Sequence, residues 1–195
     1  MIGLLPSLNR FWHRDPPGYQ PGVTLDRLVN NLRPYAGERL AVNQLRLTLP
    51  EGPVIDVTEQ VQSLFLAHIV TQRFHSQGST RFAEPMVLDF ITGGWLRRNG
   101  MIYRTKARHE DARQLVAALH KYPQIAETLA KLDFRRVRLT IKQGNWRLEI
   151  EHFAASEVVS RLPASRRYLR LEAEQRRLLF SSFLMIGQLM EKLNE

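Results

Sequence analysis

The chain reads as an α+β domain: an antiparallel sheet with helices packed on one face and a long helix closing the chain. Three features of the sequence predict this. Apolar residues alternate with polar ones at Leu45, Leu47 and Leu49, and again through "VRLTIKQGNWRLEIEHF" at 137–153, which is the period of a half-buried strand. They recur at helical spacing over 24–35, 110–122 and 123–132, the mark of amphipathic helices. A last helical stretch from about Glu172 to Leu193 contains "LLFSSFLMIGQLM", which is apolar nearly all round. A helix of that kind is buried on several sides or shared with a second subunit.

Residues 1–22 read as an N-terminal arm and linker ahead of a single domain at 23–195. Met1, Leu4, Leu5, Leu8, Phe11 and Trp12 fall at helical spacing beside Arg10, His13 and Arg14. Such a segment either packs on its own domain or lies in a membrane interface, so peripheral membrane contact through residues 1–14 is one expectation. "DPPGYQPG" at 15–22 breaks regular structure. Thr24 is placed to cap the first helix, whose stripe is Leu25, Leu28, Val29 and Leu32. The strand "NQLRLTL" follows, with the turn "PEGP" and the return "VIDV".

Residues 59–74 read as a short helix or turn and then a strand through "AHIVTQRF". "MVLDFIT" and "MIYRTKA" are strands, bracketed by "TGG" and the tight-turn pair Asn99-Gly100. In the two helices that come next, Glu110 and Asp111 suit a first turn and Pro123 a first position. The hairpin of 137–153 is expected to turn at Gly144-Asn145. That register pairs Ile141 with Leu148 and Leu139 with Ile150 on the core side, and Thr140 with Glu149 and Arg138 with Glu151 on the other. "RRYLRL" is the last strand before the closing helix.

Two helix-strand-strand halves, 24–58 and 110–153, are weakly similar. "LVNNLRPY" aligns with "LVAALHKY", and Arg46-Leu47-Thr48 with Arg138-Leu139-Thr140. An internal duplication would account for this. The generic likeness of amphipathic helices and hairpins accounts for it too.

With 195 residues, 44% of them hydrophobic, the chain can bury one good core. The absence of cysteine excludes disulfides, thiolate metal sites and a cysteine nucleophile, and suits a reducing cytoplasm. No stretch reaches the roughly 20 apolar residues of a membrane span, and residues 1–15 lack the early positive charge of a signal peptide. Cytoplasmic is therefore the default expectation. No phosphate loop, nucleophile elbow or histidine pair with metal-ligand spacing occurs. His109-Glu110-Asp111 joins acid and base types at a helix start, where they serve the helix dipole first. The sequence indicates no catalytic residue, metal or cofactor.

Charge is the informative property. The net charge is +9, carried by 23 arginines and only 5 lysines. Residues 99–195 hold eighteen cations against eleven acids, while residues 1–98 hold ten against eight. Two runs stand out: Arg97, Arg98, Arg104, Lys106 and Arg108, and then Arg166, Arg167 and Arg170. The expected function is a non-catalytic binding module contacting an anionic macromolecule, nucleic acid or an acidic protein surface, through these residues. Trp95, Tyr103 and Tyr168 would supply stacking surfaces, whereas Trp146, also aromatic, falls on the core side of the expected hairpin register. Two alternatives rest on the closing helix. One is a carrier holding an apolar ligand between sheet and helix. The other is an assembly protein, a homo-oligomer using Phe180, Phe183, Leu184 and Met185 or the N-terminal arm as its interface.

Overall fold

The computed structural model describes residues 15–50, 52–93 and 100–195. Arg97, Arg98, Trp95 and the arm at 1–14 lie outside the described residues. The fold is α+β: among the described residues, a large antiparallel sheet carries four helices on one face. Helix α1 (Val23–Asn31) leads into β1 (Gly37–Ala41), β2 (Gln44–Thr48), β3 (Val54–Ser63) and β4 (Ala67–Ser79). Strands β5 (Met86–Thr92) and β6 (Met101–Thr105) precede α2 (Glu110–Lys121) and α3 (Pro123–Lys131). Then come β7 (Phe134–Lys142), β8 (Asn145–His152), β9 (Ser156–Arg161), β10 (Ala164–Leu169) and the closing helix α4 (Ala173–Lys192).

The strand order is β1-β2-β3-β4-β8-β7-β5-β6. Strand β4 is thirteen residues long and divides its outer edge between two partners. Its first half pairs with β9, which carries β10, and its second half pairs with β8. Residues Leu45, Leu47, Ile55, Val57, Phe74, Leu88, Leu139, Leu148 and Ile150 face the helices and are buried. Leu25 and Leu28 of α1, Leu115 and Leu119 of α2, Ile125 and Leu129 of α3, and Phe183 and Ile186 of α4 close the same core.

Several elements differ from the sequence expectation for identifiable reasons. Residues 59–63 continue β3 and form neither helix nor turn, because the inward position after Ile55 and Val57 is Glu59, which breaks the apolar alternation. Strand β1 is exposed along its whole length and so has no alternation to read. The β7–β8 turn is Gln143-Gly144, both with positive φ, at 53° and 69°, one residue earlier than expected. Pairing therefore shifts by two residues, to Ile141 with Trp146, Leu139 with Leu148 and Arg138 with Glu149. A shift of two preserves the faces, so the inward residues are those expected.

Nor does Thr24 cap α1. Gly22 is the N-cap, with φ of 85°, and a Cβ there would collide with the Val42 carbonyl oxygen. With no side chain at that position, the cap comes from across the core. The Gly22 and Leu25 amides donate to the Glu59 carboxylate at 2.7 and 2.9 Å. In α2 the cap is His109, whose Nδ1 accepts from the Ala112 amide at 3.3 Å, which gives that histidine a structural role.

Candidate anion-binding groove on the open sheet face

The sheet face away from the helices is a charged surface built by strand alternation. One transverse row crosses seven strands through directly paired positions: Arg46, Asp56, His75, Glu149, Arg138, Asp89 and Arg104. Most of its charge is compensated within the row. Arg46 donates to both Asp56 oxygens at 2.7 and 2.9 Å, and Arg138 to both Asp89 oxygens at 2.7 and 3.0 Å. Arg73 pairs with Glu151 at 2.9 Å and Arg147 with Glu149 at 3.3 Å. The guanidinium bonds hold the Asp56 and Asp89 carboxyls below the usual carboxylate range. His75, between Asp56 and Glu149, is pushed below the usual imidazole value by burial.

Compensation is least complete at one corner. A groove of about 880 Å³ opens over β5, β6 and β7, lined in part by Asp89, Arg104, Lys106, Arg138, Thr140 and Lys142. Four cations face one acid there, and that acid is already held bidentately by Arg138. Among the described residues Arg104, Lys106 and Lys142 form no ion pair. Three cations around a concave surface, with the Thr140 hydroxyl beside them, are donors of the kind that pair chemically with carboxylate or phosphate groups.

The residues expected from the sequence are divided by the fold. Arg104 and Lys106 lie on the open face and enter the groove, and Arg108 is exposed in the loop before α2. Arg166, Arg167 and Arg170 are elsewhere. They belong to β10 and the segment after it, on the far half of β4, while β5, β7 and β8 separate β6 from β4. Arg166 is engaged by the Gly18 carbonyl at 3.0 Å and approaches Glu157 at 3.8 Å. The groove adds Arg138 and Lys142, which the expected hairpin register places on a charge-balanced surface. In the observed register Lys142 faces Asn145, not a charge.

The described stacking candidates are not on this face. Trp146 is in the core, Tyr103 packs edge-on against Phe90 on the helix side, and Tyr168 donates to Asn31 at 2.8 Å. Phe180 and Phe183 of α4 are buried in the core. Only Leu184 and Met185 reach the surface, each lining a shallow groove beside the helix.

The molecule is thus a helix-backed antiparallel sheet whose open face carries a cationic groove. Residues 30–190 match a family model described as a protein of unknown function, DUF3156, and the chain belongs to that family. No curated protein and no solved structure matches it.

Proposed function

We propose that the protein is a non-catalytic binding module that holds an anionic partner in the groove over β5, β6 and β7. The observation that carries this reading is the cluster of Arg104, Lys106 and Lys142, which form no ion pair among the described residues, on a face where the other arginines named above are paired. Arg138, fixed by Asp89, presents its remaining surface as a rigid wall. An acidic protein segment is favoured over nucleic acid, because none of the described residues lining the groove is aromatic and able to stack on bases, while the alternating row of the open face offers registered contacts to a partner of mixed charge. The apolar α4 supports this reading by being spent on the core, which removes the main motive for a carrier or for assembly through Phe180 and Phe183.

The test is fluorescence anisotropy with a labelled oligo-glutamate peptide and a single-stranded oligonucleotide of equal charge, between about 50 and 200 mM salt. The peptide is expected to bind more tightly, weakening with salt, and Arg104→Glu with Lys106→Glu should abolish its binding. Salt-independent binding, or unchanged binding by the double variant, would refute the groove as the site.

A further inference from the structure

At the opposite end of β4 from the groove, two turns place large apolar side chains in water. The β3–β4 turn is tight, with the Leu64 amide donating to the Ala67 carbonyl at 2.8 Å. Phe65 at its apex is 92% exposed, and Leu64 and Leu66 are half-exposed. The β9–β10 turn lies against it: the Arg161 amide donates to the Leu66 carbonyl at 2.8 Å, and Leu162 is 74% exposed. Ladder pairs Ser63 with His68, Ala67 with Ser160 and Ala164 with Arg161 anchor both turns. These are ordered turns presenting a joint apolar tip, a larger feature than the single exposed apolar residues normal on a surface.

The charged residues nearest the tip are cationic. Residues 60–72 and 158–167, both turns with the adjacent parts of their strands, include Arg161, Arg166 and Arg167 and no aspartate or glutamate. The next acid along β9 is Glu157, 3.8 Å from Arg166. All three arginines are exposed. Gly18, near the start of the described chain, is bonded to Arg166. The sequence leading into that segment is itself rich in large apolar residues, among them Leu8, Phe11 and Trp12, beside Arg10 and Arg14.

We infer that this tip docks on an anionic lipid bilayer, with Phe65 and Leu162 entering the headgroup boundary and Arg161 beside them meeting lipid phosphates. The shape decides in favour of a bilayer. The apex is convex and aromatic, so a soft interface accepts it without a preformed pocket, and basic flanks beside apolar side chains are what interfacial binding requires. No described helix is long and apolar enough to cross a membrane, so the contact is peripheral. This second surface is independent of the groove.

Because the chain contains no cysteine, Phe65→Cys carries a single environment-sensitive nitrobenzoxadiazole label. Its emission should shift to the blue on vesicles of phosphatidylcholine with phosphatidylglycerol and not on phosphatidylcholine alone. A label at Glu127→Cys on α3, on the surface away from the tip, should not respond. In flotation with the anionic vesicles, the Phe65→Ser/Leu162→Ser variant should lose about tenfold in bound fraction. The Arg104→Glu/Lys106→Glu variant should float as the parent does. No shift at position 65, or flotation undiminished by the tip variant, overturns the inference. A loss confined to the Arg104→Glu/Lys106→Glu variant does so too, by moving the contact to the groove.

Discussion

The two faces of this sheet use the same chemistry, carboxylates against donors and cations, to opposite ends. On the helix side Glu59 and Glu157 are buried and wholly engaged. Glu59 accepts from Tyr19 Oη, Gln72 Nε2 and the amides of Gly22 and Leu25, while Glu157 accepts from Thr24 and Arg27. On the open face Asp56, Asp89, Glu149 and Glu151 pair with arginines in water, and their partners outnumber them at one corner. Buried carboxylates hold the chain to itself. The open ones organise a surface whose surplus of cations is free to hold something else. A total of +9 does not reveal that division.

The largest test of the contrast is Glu59→Ala. It strands the Tyr19 hydroxyl and the Gly22 and Leu25 amides inside the protein and uncaps α1. Each buried donor left without an acceptor costs about 1–3 kcal/mol, so a loss of about 4 kcal/mol is expected, or roughly 10 °C in Tm for a chain of this size. Calorimetry or a urea titration reads it. A loss under about 1 kcal/mol would show that the helix side is no more dependent on its carboxylates than the open face.

Acid separates the buried histidines from the open-face carboxylates next. His152 is buried, accepting from the Ala154 amide at Nδ1, 2.9 Å away, and facing the Gln175 side-chain oxygen 3.0 Å from Nε2. Burial lowers its pKa, as it does for His68 and for His75 on the open face. A histidine depressed in the folded state is neutral there, so its contribution is intact above the unfolded value near 6.5 and lost as pH falls below it. Asp56 and Asp89 are also depressed, but theirs is the carboxylate case, intact above about pH 4 and lost below it. Stability should therefore fall in two stages. His152→Gln should flatten the upper stage, and Asp89→Asn the lower.

The sheet and its faces were legible because alternation is a local signal. Leu45, Leu47, Leu139, Leu148 and Ile150, and the charged residues between them, all lie on the expected sides even where the register slipped. What escaped depends on distant partners. Glu59 obscured the end of β3 because its reason for facing inward is a helix thirty-four residues away. The groove was half legible: Arg104 and Lys106 stand out as unbalanced in sequence, whereas Arg138 and Lys142 join them only through the β5–β7 and β7–β8 pairing. Arg166 looked equally available, and nothing local announces the Gly18 carbonyl that holds it.

A smaller effect is expected on the open face itself. Arg138→Gln removes the bidentate bonds to Asp89, and both side chains are about a quarter exposed, at 30% and 23%. Solvent screens such a pair, so the loss should be near 1 kcal/mol. The Asp89 carboxyl should return toward its ordinary pKa, visible by NMR titration. A loss as large as that of Glu59→Ala would mean that the row is a structural device, and the contrast between the faces would collapse.

The smallest effect belongs to the groove. Arg104→Glu with Lys106→Glu breaks no ion pair among the described residues; it replaces repulsion with Lys142 by attraction but sets a glutamate directly across the ladder from Asp89. These opposed terms should leave stability within about 0.5 kcal/mol of the parent. Residues retained for folding lose stability when reversed. Residues retained for a partner lose binding while stability holds or improves. An unchanged Tm together with lost peptide binding would place these two cations in the second group. A clear destabilisation would return them to the architecture of the sheet.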